Sequence, residues 1–298
     1  MTLERIELFY RKNLLKLMFI PLIALVLAFI IIGFKFANTG DFFDKDVTLK
    51  GGIIASVYTN NEIDYLQLEE YLGVNSVIRN LADLSSGRNL GFIVEVSDLK
   101  GEELEQKLEE YLKIELNSNN FSIEETDSKL GETFFKQLLI ALMFAFVLMA
   151  ISVFVTFRVF IPSIAVICSA MIDIFVTLAI VNLLGLKIST AGIVAFLLII
   201  GYSVDTDILL TTNVLRNKRD IPLYARIKRS IKTGLTMTSC TMAAVALGYI
   251  FGQSPVFKEM FAIIFIALFV DIFSTYLTNA GWLVLYCKKK GIEWWKNY

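Results

Sequence analysis

Histidine is missing altogether from the 298 residues. Its absence removes Ser-His-Asp and Cys-His catalysis and every histidine-based metal site. Cysteine is scarce. Cys168, Cys240 and Cys287 each lie in or beside an apolar run, so neither a disulfide framework nor a CxxC site can be drawn. An excess of charge is also lacking: 28 Lys and Arg stand against 29 Asp and Glu, a net charge of -1, so no nucleic acid or other polyanion is expected as partner. Gly185-Leu-Lys187-Ile-Ser189 lacks the spacing of a phosphate-binding loop. Nothing in the chain calls for a cofactor, a resident metal or a catalytic residue, and no enzyme activity is expected.

What is there is apolar surface. The chain is 56% hydrophobic with a mean hydropathy of +0.63, above the soluble norm of roughly 45–50% apolar. A helix needs about 20 apolar residues to cross a bilayer. Six stretches qualify: Leu14–Phe34, Leu138–Phe157, Pro162–Leu184, Thr190–Leu210, Thr233–Phe251 and Phe261–Tyr286. The first has no small-x-small cleavage site at Gly33-Phe34-Lys35-Phe36 and is expected to be a retained span.

Lys and Arg in the short loops set the expected orientation. Arg5, Arg11, Lys12 and Lys16 precede span one, Arg158 follows span two, and Arg216, Lys218, Arg219, Arg226, Lys228, Arg229 and Lys232 follow span four. The tail adds Lys288, Lys289, Lys290 and Lys296, whereas the opposite short loops hold Lys187 and Lys258. Both termini are expected in the cytoplasm of a multi-pass cell-membrane protein. Residues 1–37 form the N-terminus and span one, 38–136 an exterior domain, 137–287 spans two to six, and 288–298 a cytoplasmic tail. Trp282, Trp294 and Trp295 fit an interfacial aromatic belt, and the basic loop after span four offers contact with anionic lipid.

The exterior interval has the pattern of a folded α+β domain. Val47–Tyr58, Val74–Leu81, the alternation around Leu90 to Val96, and Phe121–Thr126 read as strands. Tyr65, Leu68 and Leu72, then Leu104, Leu108 and Leu112, have helical spacing. The order β-α-β-β-α-β is ferredoxin-like. Glu102, Glu103, Glu105, Glu109 and Glu110 make a solvated face or a docking surface for a basic partner.

Four aspartates interrupt the spans: Asp173, Asp205, Asp207 and Asp271. Each costs roughly 2.5–3.5 kcal/mol at mid-bilayer, so they are expected to face the bundle interior. No Lys or Arg lies well inside spans three to six. Burial without a cation favours the neutral carboxyl, which leaves a proton or a metal ion such as Na⁺ as the partner. Thr236, Thr238, Ser239 and Thr241 on span five, and Ser274, Thr275, Thr278 and Asn279 on span six, could hold water beside them or simply bond to backbone. Asp205 and Asp207 are roughly 200° apart on a helix and cannot share a face.

Gly201-Tyr202-Ser203-Val204-Asp205-Thr206-Asp207 resembles the fourth-span signature of the SecF family of protein-export membrane subunits, most of all its archaeal form. Arg229-Ser-Ile-Lys-Thr-Gly234-Leu-Thr236 and Leu49-Lys-Gly-Gly52 resemble two further stretches of that family. The resemblance implies half of a resistance-nodulation-division-type bundle: six transmembrane helices with the ferredoxin-like domain between helices 1 and 2. It also implies pairing with a SecD-like protein, work beside a SecY-type channel, and export of polypeptides driven by ion movement. The matching positions are an acid in the Gly-Tyr-Ser segment and the base at Arg229; the bacterial pattern has Asn-Asp where Asp205-Thr206 stand. A stand-alone exporter of small molecules or lipid is the alternative, weakened because one six-span unit is half of such a transporter. An intramembrane aspartyl protease using Asp173 and Asp205 would need a Gly-x-Gly-Asp segment, which Gly201-Tyr-Ser-Val-Asp205 does not supply.

Overall fold

Long apolar segments in a bilayer must satisfy every backbone group internally, and here they do so as helices. The structure is a computed structural model that describes residues 2–59, 63–73, 76–82, 89–96, 99–215, 221–252 and 254–291. Helix α1 covers Thr2–Leu17 and α2 covers Phe19–Thr39. After a small α+β domain come α6 (Ser128–Phe157), α7 (Phe160–Leu183), α8 (Thr190–Leu215), α9 (Leu223–Phe251) and α10 (Pro255–Phe273), which continues through a π-helix (Ser274–Asn279) into α11 (Ala280–Lys289). Six segments are long and apolar enough to span a membrane: α2, α6, α7, α8, α9 and the composite Val256–Lys289. Helices α7, α8 and the composite span are about half buried, whereas α2, α6 and α9 present most of their surface outward. The four aspartates that interrupt the apolar runs sit on those three half-buried spans.

Between α2 and α6 lie α3 (Val47–Lys50), β1 (Gly52–Tyr58), α4 (Tyr65–Leu72), β2 (Ser76–Ala82), β3 (Asn89–Val96), α5 (Gly101–Leu112) and β4 (Phe121–Thr126). The antiparallel sheet has the order β2-β3-β1-β4, the ferredoxin-like arrangement that the element order predicts. One face of the sheet, with Ile53, Ala55, Val57, Phe92, Val94 and Val96, packs on Leu68, Leu72, Leu104 and Leu108 of the two helices. Asp64 caps α4 by accepting from the Leu66 and Gln67 amides at 3.0 and 3.3 Å. Gly91 has φ +144° opposite Tyr58, and a Cβ there would stand 1.9 Å from the Val57 carbonyl oxygen. Only glycine lets β1 and β3 meet at that point.

Two expected boundaries change. Span one begins at Phe19 rather than Leu14, because the chain turns at Met18 and residues 2–17 form the separate α1. That helix is clasped to the bundle: Lys228 Nζ lies 2.7 Å from a Glu7 oxygen, and Tyr10 Oη donates to the Tyr276 carbonyl at 2.6 Å. Lys228 holds the Glu7 carboxyl below its ordinary range, chiefly through that hydrogen bond. Val47–Lys50 is one helical turn, so the first strand starts at Gly52 rather than Val47. Tertiary contacts override the strand propensity of Val47 and Thr48: the Asp46 amide donates to Ile188 O, and Thr48 Oγ1 accepts from the Thr190 amide at the start of α8. Helix α6 starts at Ser128, inside the interval read as exterior. Val74, Arg216, Lys218, Arg219, Trp294, Trp295 and Lys296 lie outside the described residues.

The α+β domain has its own core, so residues 42–130 expressed alone should give a mixed α/β spectrum and a cooperative urea transition. Phe92 is fully buried; Phe92→Ala should lower that fragment's stability by about 3–5 kcal/mol. A disordered wild-type fragment would contradict this core.

Candidate functional site

Polar residues recur every third or fourth position on three buried helices and so form facing stripes. On α7 these are Ser169, Asp173 and Thr177. On α8 they are Ser203, Thr206, Asp207 and Thr211, and on the composite sixth span Asp271, Ser274, Thr275 and Asn279. All eleven are at most 1% exposed except Ser203 at 2%. Asp173, Asp207 and Asp271 therefore share one polar layer inside the bundle, as expected of them.

The hydrogen bonds tie the stripes together. Asp173 accepts from the Ser203 hydroxyl on one oxygen and from the Ser274 hydroxyl on the other. Asp271 stands 3.2 Å from Thr275 Oγ1 and has both oxygens 3.2 Å from Thr206 Oγ1, which is also 2.8 Å from the Ser203 carbonyl. Asp207 accepts from Asn279 Nδ2 at 2.7 Å. Its Oδ2 has no hydrogen-bond partner, and neither do Ser169 Oγ, Thr177 Oγ1 or Asn279 Oδ1. A hydroxyl carries one proton. Thr206 cannot donate to Ser203 and to both oxygens of Asp271, so the layer has fewer protons than acceptors. Added protons would fit it without a new side chain.

The π-helix begins three residues after Asp271 and carries Ser274, Thr275 and Asn279. Such a bulge adds a residue to the turn and shifts the side chains that follow. It also pushes Tyr276 toward α9, where a Cβ on Gly234 would stand 1.9 Å from the Tyr276 hydroxyl. Glycine at 234 is thus what lets α9 close over the site.

The remaining expected residues lie elsewhere. Asp205 is exposed on α8, in a stripe with Val194, Leu198, Gly201 and Thr212. This agrees with the angular argument that separates it from Asp207, and it corrects the expectation that all four aspartates face the bundle interior: Asp205 lies on the outward side of α8 because a helix cannot turn both acids inward. Arg229 is exposed near the start of α9, and the ion pairs among the described residues involve neither it nor Asp205. Asp173 and Asp205 do not form a protease-like pair, since Asp173 is engaged by Ser203 and Ser274. Tyr202 joins α8 to α9 through the Thr241 hydroxyl. Thr236 is exposed and donates to the Lys232 carbonyl, Ser239 is exposed, and Thr238 is buried with its hydroxyl unpartnered. The sequence reading missed Ser169, Thr177 and Thr211, whose i±4 spacing from Asp173 and Asp207 was the available signal.

Comparison with known proteins places this arrangement. The family described as protein export membrane protein SecD/SecF, C-terminal, matches residues 105–289, which include all three buried aspartates. The chain belongs to the SecD/SecF family. Similar relatives are the protein-export membrane protein SecF of Methanolacinia petrolearia, 34% identical over 91% of this chain and 93% of that protein, and that of Methanocaldococcus jannaschii, 33% identical over 90% and 93%. The fold resembles the crystal structure of SecDF, a translocon-associated membrane protein from Thermus thermophilus, with a TM-score of 0.71 and 22% identity. The match covers 94% of this chain but 38% of that longer one.

The polar layer should also carry stability. Asp173→Ala removes the acceptor for two buried hydroxyls and should cost about 1–3 kcal/mol, seen as a lower midpoint of thermal unfolding in detergent. Asp205→Ala, at an exposed position, should stay within about 0.5 kcal/mol of wild type. Equal losses from the two would contradict the distinction.

Proposed function

We propose that this chain is an accessory subunit of protein export, pairing in the membrane with a SecD-like protein beside a SecY-type channel, and that Asp173, Asp207 and Asp271 load and release a proton during its cycle. The observation that carries this reading is the unpartnered Asp207 Oδ2 in a layer of three carboxylates with no basic residue. A negative charge there has no internal compensation, and protonation both neutralises it and adds the missing donor. Sodium is the less apt ion, because the oxygens of Asp173 and Asp271 already face hydroxyls.

Pairing is supported by the exposed α8 stripe. A carboxylate facing lipid at Asp205 costs roughly 2.5–3.5 kcal/mol, and a second helix seated on Gly201 relieves that cost. On this reading Asp205 serves the partner surface while Asp207 serves the proton. Arg229, at the cytoplasmic end, lies where it can bias a nearby carboxylate toward its charged form. The termini are cytoplasmic, residues 38–136 face outward, and the exterior domain meets the exported polypeptide.

Export of a secreted reporter separates these roles. Asp207→Asn should retain its membrane level and its SecD-like partner, while export falls to the level of a strain lacking the chain. Gly201→Leu should keep the isolated subunit's melting point, since nothing lies within 4 Å of a Cβ there, but lose co-purification with the partner. Wild-type export from Asp207→Asn and from the Asp207→Asn/Asp271→Asn double variant would refute proton loading. Recovery of wild type only as a homo-oligomer would favour the stand-alone exporter. For orientation, Lys113→Cys should react with an impermeant thiol reagent in sealed cells, and Lys288→Cys only after permeabilisation.

A further inference from the structure

Helix α1 is not one of the six spans, yet one side of it is fixed to the bundle. At its end Met18 meets the sixth span: Thr278 Oγ1 donates to the Met18 carbonyl at 3.4 Å, and Met18 Sδ lies 2.8 Å from where a Cβ on Gly281 would stand. Tyr10 reaches the Tyr276 carbonyl of the same span. Tyr10 and Met18 are about 12 Å apart along a helix, but their partners fall within two turns of the sixth span. Helix α1 therefore crosses that span instead of running beside it. Beyond the crossing it meets the start of α9, where Glu7 pairs with Lys228 and the Arg11 guanidinium lies 5.7 Å from the centre of the Tyr224 ring.

The other side is open among the described residues. At about 100° per residue, Glu7, Tyr10, Arg11, Leu14 and Met18 share one arc of the helix, and Arg5, Leu8, Phe9, Lys12 and Lys16 share the arc opposite. The second group is exposed throughout, Leu8 by 63% and Phe9 by 59%. Among the described residues no ion pair engages Arg5, Lys12 or Lys16. A face turned to water would not hold Leu8 and Phe9 together, and a face turned to the hydrocarbon core would not hold three bases. A stripe that is both apolar and basic suits the boundary between acyl chains and anionic headgroups. Two further observations point to that occupant. The backbone stays helical through Met18, with φ -55° and ψ -31°, so the stripe continues onto α2 through the exposed Phe19, Ile20 and Ile23. Residues 2–17 also hold four bases against two acids, so α1 is net basic even with Glu4 and Glu7 both counted as charged.

We propose that α1 is an interfacial helix whose outer face docks on anionic phospholipid, with Arg5, Lys12 and Lys16 at headgroup phosphates and Leu8 and Phe9 among the acyl chains. The long stems of the three bases lie along the apolar part of the stripe while their charged ends reach the phosphates. Because the opposite face carries Tyr10, the docked leaflet holds α1 against the π-helix through the Tyr276 carbonyl. This inference rests on the six-span membrane placement and on neither proton loading nor a SecD-like partner.

The test is hydrogen–deuterium exchange of the full chain in nanodiscs, read at peptides from residues 2–17, with peptides from α7 reporting the fold of each variant. Discs of phosphatidylcholine are compared with discs that also contain phosphatidylglycerol. Each base near an anionic leaflet strengthens attachment about fivefold, so α1 exchange should slow by about tenfold or more in the anionic discs, and concentrated KCl should shrink the difference. Arg5→Gln/Lys12→Gln/Lys16→Gln should exchange alike in both discs. Lys100→Gln/Lys107→Gln/Lys113→Gln, the same loss of charge on the α+β domain, should keep the wild-type difference. Leu8→Ser/Phe9→Ser should exchange faster than wild type in both discs, because it loses the apolar contact that either lipid supplies. Equal α1 exchange of wild type in the two discs, or loss of the difference in the domain variant, would overturn the proposal. Equal protection by inorganic phosphate in phosphatidylcholine discs, or protection only where two copies of the chain share a disc, would replace the lipid by a free anion or by a second copy and so overturn it as well.

Discussion

Three carboxylates inside an apolar bundle, with no basic side chain among them, set the terms for the rest of the membrane part. At roughly 2.5–3.5 kcal/mol each, they cannot face lipid, so the helices that bear them must occupy the middle. This is why α7, α8 and the composite sixth span are about half buried while α2, α6 and α9 wrap them. The same constraint draws hydroxyls to each turn above and below the acids. It also accounts for where the sixth span departs from α-helical geometry, since the π-helix sets Ser274, Thr275 and Asn279 against Asp173, Asp271 and Asp207.

Asp205 and Asp207, two residues apart, fall in different environments. Asp207 is sealed and bonded to Asn279, whereas Asp205 lies on the exposed stripe with Gly201. One turn of α8 can thus serve two surfaces, the bundle's interior and the seat proposed for a second six-span protein.

Much of this was legible before the structure. The six apolar runs, the βαββαβ order and the acids in spans three, four and six follow from hydropathy and spacing. The strand Phe121–Thr126 matches the structure to the residue, and the helical spacing of Tyr65, Leu68 and Leu72 falls on a helix over Tyr65–Leu72. The sequence was silent where tertiary contacts decide. Nothing local stops the helix at Met18, because the residues on both sides favour helix. Val47–Lys50 becomes a turn of helix only because residues 44–48 bind the chain near Ile188 and Thr190. Ser169, Thr177 and Thr211 carry no signal as single hydroxyls in apolar runs and gain meaning only where their stripes face one another. The span-five hydroxyls show the reverse: Thr236 and Ser239 have suitable chemistry but lie on the outer face of α9.

The most direct measurement is infrared difference spectroscopy of the protonated-carboxyl carbonyl stretch in membranes, followed across pH. The account predicts a titrating band in wild type that is lost or shifted in Asp207→Asn and kept in Asp205→Asn, with little response to exchanging Na⁺ for K⁺. A wild-type protein showing no protonated carboxyl at any pH at which it stays folded, or a band abolished by Asp205→Asn alone, would contradict it.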